Sequence, residues 1–231
     1  MKTHGSTKTN QGLMPIEVII VVFIVAVIVA VVLPTLSPHG RRSSKIGCVN
    51  NLKQVGLAYR IWAGDNNDKY PMELSITNGG TLEWLNTTDA WKTFQLMSNE
   101  LSTPKILYCP SDSTRRRAAT DFDDGMKTRI SYFIGADATD TNPAAFLSGD
   151  DNLSLNGAHP KPGFMTVSAN AALGWDDTRH NDPTRQSWFT KTRIGGGNIG
   201  LTDGSVQSVN QLSLTNLLRQ TGLATNHFVL P

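Results

Sequence analysis

Cysteine is scarce in this chain of 231 residues. There are two, too few for a disulfide-dense mini-scaffold or a four-cysteine zinc site. Charge of a dominant sign is missing as well. Lys and Arg number 21 against 19 Asp and Glu, so the strongly basic face of a dedicated nucleic-acid binder is not expected. No Gly-x-Ser-x-Gly elbow occurs, and His180 with Asp176, Asp177 and nearby serines is a bare residue list rather than a hydrolase motif. The histidines at 4, 39, 159, 180 and 227 lack the His-x3-His spacing of a metal site. Acid-rich stretches at Asp65–Asp68, Asp121–Asp124, Asp150–Asp151 and Asp176–Asp177 offer the oxygen ligands that Ca²⁺ takes. None has the alternation, Gly and closing Glu of an EF-hand loop, so solvated loops are expected there. The run Arg115-Arg116-Arg117 reads the same way rather than as a phosphate contact.

What the chain does have is concentrated near its N-terminus. Residues 1–12 are polar and carry Lys2 and Lys8 with no acid. Residues 13–33 then run LMPIEVIIVVFIVAVIVAVVL, apolar throughout except for Glu17. As a helix this stretch is about 31 Å long, close to the roughly 30 Å hydrocarbon core of a bilayer. Basic residues ahead of it favour a cytoplasmic N-terminus, which places Pro34 to Pro231 on the far side. A cleaved secretory signal would have a shorter apolar region and a small-residue site after it, and no Ala-x-Ala follows Leu33. A plain anchor accounts for the length but not for Glu17, because a carboxylate in a membrane helix is costly and usually functional.

The string GLMPIE, Gly12 to Glu17, resembles the cleavage site of type IV prepilins and type II secretion pseudopilins. In that family a short basic leader ends in Gly, prepilin peptidase cuts after it, the new first residue is N-methylated, and the fifth mature residue is Glu. The resemblance implies cleavage between Gly12 and Leu13, methylation of Leu13, and an assembly role for Glu17. Pro34 falls at mature position 22, where these proteins often carry a helix-loosening Pro. Leu13 stands where Phe is most common. Pro15 falls in the first helical turn, where its missing N–H removes no intrahelical bond. In a filament, Glu17 would pair with the protonated amine of Leu13 on a neighbouring subunit and so set the axial register.

Cys48, Leu52, Val55, Tyr59 and Trp62 recur at helical spacing as one apolar stripe. Gly64-Asp65-Asn66-Asn67-Asp68 then carries turn chemistry. One bent helix over residues 13–63 is expected, with Pro34 and Pro38 marking a kink or short break. The stretch CVNNLKQVGLAYRIWAGDNNDKYP resembles a bacterial pseudopilin-like group with a Cys-x-x-Asn-Leu-Lys-Gln helix and a following Tyr-Pro, here Tyr70-Pro71. LYCPSD at Leu107–Asp112 is a second match. GGGNIGLTDGSV at Gly195–Val206 resembles that group's C-terminal signature of His, nine residues, then Asp-Gly, but Arg193 stands where the His would be.

The resulting division is a leader over 1–12, a transmembrane and polymerisation helix over 13–33, an amphipathic continuation over 34–63, and an extracytoplasmic α+β domain over 64–231. The resemblance implies a pilin-like fold, a long helix packed on an antiparallel sheet with long loops. Asn198 to Val209 reads as a hairpin turning at Asp203-Gly204. Lys105–Cys109, Arg129–Ile134 and Met165–Ala169 are strand candidates. Leu82–Leu101 contains a helical stretch with Trp84, Trp91, Phe94 and Leu101 as core, and Ser213–Gln220 forms a short helix. Residues 136–163, rich in Asp, Asn, Gly and Pro, read as a long surface loop.

Outside the cytoplasm Cys48 and Cys109 can pair, stapling the helix to the domain across a loop of about 60 residues; two buried free thiols are the other reading. The expected function is that of a non-enzymatic pilin or pseudopilin in the bacterial inner membrane. Its partners would be prepilin peptidase, like subunits and an inner-membrane assembly platform, with no nucleic acid and no cofactor unless one of the acidic loops takes Ca²⁺. The competing expectation is a monomeric tethered ectodomain that binds polysaccharide through exposed Trp84, Trp175 and Trp188.

Overall fold

The computed structural model describes residues 15–35, 40–112, 117–176, 180 and 195–231. They fall into two units, Met1–Gly40 and Arg41–Pro231.

Among its described residues the first unit holds the helix α1, Pro15–Thr35. Pro15 occupies its first position and Glu17 its first turn, where the missing N–H and the negative charge are both tolerated. Val and Ile dominate, so the helix has no polar face. Twelve large apolar side chains between Ile16 and Val29 are exposed, from 46% at Val27 and Val29 to 69% at Phe23. Among the described residues no helix is long and apolar enough to cross a membrane. The side chains of α1 are described over 15–30, a stretch of 16 residues, against about 20 for a span. Pro34 is the last residue but one of α1.

The second unit begins with α2, Gly40–Asp65. The expected single bent helix is thus described as two, with 36–39 outside the described residues. The Cys48–Trp62 stripe is buried, with Cys48, Val55 and Tyr59 at 0% exposure. The helix stops where expected: the Asn66 side chain donates to the Trp62 carbonyl at 2.8 Å, and Asn67 and Asp68 both turn left-handed. Short side chains able to bond locally tolerate that conformation.

The described residues of 71–112 and 117–128 are mainly turns of 3₁₀-helix and two short helices, α3 Lys92–Leu96 and α4 Ser98–Leu101. The helical stretch expected over Leu82–Leu101 is therefore broken. The hydroxyl of Thr87 donates to the Trp84 carbonyl and accepts from the Asp89 N–H, local bonds that compete with helix. The strand expected at Lys105–Cys109 is a 3₁₀ turn, Pro104–Leu107, because Pro104 opens it and the Thr103 hydroxyl caps the Lys105 N–H.

Among the described residues eight strands follow: β1 Tyr132–Gly135, β2 Phe146–Asp150, β3 Leu153–Leu155, β4 Gly163–Ser168, β5 Leu173–Trp175, β6 Gly196–Leu201, β7 Val206–Asn210 and β8 Thr225–Leu230. A helix, α5 Gln211–Gln220, precedes β8. Six strands form an antiparallel sheet in the order β4-β8-β1-β2-β6-β7, and β3 pairs with β5 in a smaller one. The fold class is α+β. The expected hairpin is β6–β7, with Gly204 left-handed at its turn (φ 84°). The surface loop expected over 136–163 instead contains β2, buried along its whole length, and β3.

Both faces of the sheet are covered. Tyr132, Ile134 and Val229 join the core under α2, while Phe133, Phe228 and Leu230 join the core under α5. That alternation is the period of two of a strand buried on both sides.

Candidate functional site

The most concentrated chemistry lies where α2, the turn after Leu107, and β2 meet. Cys48 and Cys109 are joined by a disulfide, with Cα atoms 4.9 Å apart and a sequence separation of 61. Neighbouring bonds fix the same joint. Asn51 donates to the Tyr108 carbonyl at 2.8 Å, and the Tyr132 hydroxyl donates to the Cys48 carbonyl at 3.4 Å.

Asp150, at the end of β2, is fully buried. Its Oδ2 accepts from the backbone and side-chain N–H of Asn198 at 2.7 and 2.8 Å. The same oxygen lies 2.9 Å from His180 Nε2. Asn198 is held in turn by the Ser208 hydroxyl, which donates to its Oδ1 at 2.6 Å. A buried carboxylate must be compensated, and here the compensation comes from β6 and from His180. The expected solvated loop at Asp150–Asp151 is therefore corrected: both residues are buried.

His180 Nε2 also lies 3.7 Å from Cys109 Sγ. Sulfur and carboxylate thus face one ring nitrogen, while Nδ1 has no hydrogen-bond partner among the described residues. A relay from nucleophile through imidazole to acid needs both ring nitrogens, so this geometry does not make one. With both sulfurs in the disulfide, no thiolate nucleophile stands beside the ring. His180 meets Asp150 rather than Asp176; the latter lies 3.9 Å from His159, and Asp177 is outside the described residues. No local sequence signal links positions 48, 109, 150 and 180, which come together only through the tertiary fold.

The other expected site residues are dispersed. Gly12 and Leu13 lie outside the described residues, as do Arg193, Arg115, Arg116 and Trp188. Glu17 is exposed in the first turn of α1. Asp121, Asp123 and Asp124 are exposed, as are Asp65 and Asp68. Trp175 is not an exposed platform: it is 5% exposed, and its ring fills the space over Gly197. Trp84 is partly buried, with Lys92 Nζ 5.1 Å from its ring centroid. A cavity of about 360 Å³ opens beside Trp91, Phe94, Tyr132 and Phe164, with Lys127 as the single charged residue lining it.

The outward face of α2 is also notable. Ile46, Leu57 and Ile61 are 61%, 58% and 48% exposed. Their separations of eleven and four residues put them on one side of the helix. Comparison with protein-family models, curated proteins and solved structures gives no match.

Proposed function

We propose that this chain is a pilin-like subunit of a membrane-rooted filament, either a type II secretion pseudopilus or a type IV pilus. The observation that carries the reading is α1, whose twelve large apolar side chains between Ile16 and Val29 are exposed. Such a surface requires lipid or other helices around it. A filament subunit needs both in turn, lipid before assembly and neighbouring subunits after it.

The leader motif supports the same reading. Prepilin peptidase acts between Gly12 and Leu13 in the inner membrane, with the N-terminus cytoplasmic and the domain periplasmic. Cleavage creates the Leu13 amine, which becomes the partner of Glu17 on an adjacent subunit. In a dry helix bundle an unpaired carboxylate is strongly disfavoured, so the pair selects one axial register among many apolar ones. The packing of α2 on an antiparallel sheet supports a pilin-like fold. The exposed Ile46, Leu57 and Ile61 offer like subunits and the assembly platform an apolar surface on the second unit. The tethered glycan-binding reading is weakened because Trp175 is buried.

The test is the N-terminal mass and sequence of the protein from host membranes with and without active prepilin peptidase. A chain beginning at Leu13 only in the presence of the peptidase is expected. An uncut chain, or a cut after Leu33, overturns the proposal. Glu17→Ala should be processed normally and fail to assemble.

A further inference from the structure

The geometry points to a second closed state of the Cys48–Cys109 joint: with the disulfide reduced, Cys48, Cys109, His180 and Asp150 hold one Zn²⁺. The ligand atoms of Cys48, Cys109 and His180 all lie within 4.8 Å of one another. Tetrahedral zinc, with Zn–S near 2.3 Å and Zn–N near 2.0 Å, separates sulfur from nitrogen by about 3.5 Å. Cys109 Sγ and His180 Nε2 are 3.7 Å apart. The fourth position falls to Asp150 Oδ2, 2.9 Å from the same nitrogen, a separation that need open only by a few tenths of an ångström.

Burial supports the assignment independently. The His180 and Asp150 side chains are 1% and 0% exposed, and both cysteines are fully buried. A disulfide has no use for an imidazole and a carboxylate at its side, and burying them there is costly. A divalent cation gives all four groups a common partner. Thiolate and imidazole donors suit zinc and not Ca²⁺, which takes oxygen ligands.

The chemistry balances. A dithiol reductant supplies two electrons and two protons, leaving the Cys48 and Cys109 thiols and the reductant's own disulfide. Zn²⁺ then displaces the two thiol protons to solvent, and the imidazole takes the tautomer with its proton on Nδ1. The joint between α2 and the domain is thereby held covalently when oxidised and by the metal when reduced. This inference does not depend on the filament reading.

The test uses the full-length chain, reduced with a dithiol, desalted without oxygen and titrated with Co²⁺ as a spectroscopic probe. One Co²⁺ per chain is expected, with thiolate-to-cobalt charge transfer and the intense visible bands of a tetrahedral site, all abolished by Zn²⁺. The oxidised chain should show none of these. His180→Ala should weaken binding at least about tenfold. X-ray absorption at the zinc edge of the reduced wild type, which needs no variant, should report two sulfur and two nitrogen or oxygen ligands. Absence of stoichiometric binding, equal binding by the oxidised chain, a shell without two sulfurs, or undiminished affinity in a folded His180→Ala would each overturn the proposal.

Discussion

Asp150 and Asn198 are bound twice through one oxygen: Oδ2 of the carboxylate accepts both the main-chain and the side-chain N–H of Asn198, at 2.7 and 2.8 Å. Two neighbouring strands of the sheet are thereby tied by a side chain as well as by their ladder. Asn198→Ala keeps the main-chain donor and removes the other from a buried charge, so the expected loss of folding stability is about 2–3 kcal/mol. Urea unfolding of the oxidised protein measures it. A loss below about 0.5 kcal/mol would mean that the carboxylate is compensated elsewhere.

Tyr59 carries a buried hydroxyl with no partner among the described residues. Burial, reinforced by Tyr70, pushes its phenol far above the ordinary value of 10.0. The folded chain therefore keeps a proton that the unfolded chain releases, so this contribution is complete below about pH 10 and declines as pH rises above it. Tyr59→Phe should leave stability at pH 7 unchanged or raise it by up to about 1 kcal/mol. It should also flatten the alkaline decline. Thermal melts between neutral pH and pH 11 distinguish the two chains.

The Cys48–Cys109 bond closes a span of 61 residues. On the chain-entropy account it stabilises the fold by about 4 kcal/mol. In metal-free buffer, the double variant Cys48→Ala, Cys109→Ala should lose that amount in denaturant unfolding, and a reducing agent should have no further effect on it. Continued sensitivity to the agent would show that it acts on something other than this disulfide.

Ile46, Leu57 and Ile61 are exposed, so replacing all three with Asp should change the thermal midpoint of the domain little. Under the filament reading the same variant should be processed at the leader and yet yield no sheared filaments. Normal filament yield would remove the outer face of α2 from the assembly surface.

Legibility in the sequence followed the range of the interactions. The buried stripe of α2 and the β6–β7 hairpin were readable because their signals, helical spacing and an Asp-Gly turn, are local. β2 was not, because a segment containing Asp150, Asp151 and Asn152 has the composition of a solvated loop. Among the described residues it is Asn198 and His180, far along the chain, that compensate the buried Asp150. Trp175 was misjudged as exposed for a related reason: the ring is accommodated by the missing side chain of Gly197, across a gap that no spacing rule spans. Lys105–Cys109 reads as a strand from its apolar run, while Pro104 and the Thr103 cap start a 3₁₀ turn there instead. The disulfide partners could be paired by arithmetic. Their imidazole and carboxylate neighbours could not.

The position of β8 bears on how the domain can be made. This strand is the latest of those described in chain order, yet it lies between β4 and β1. While residues 225–230 are still missing from a growing chain, the sheet has an open slot at its interior, flanked by two unpaired edges. Such edges invite strand addition by other molecules. The domain therefore cannot be acquired piecemeal from its N-terminal side, and a ribosome that stalls before Thr225 releases a sticky fragment rather than a smaller fold.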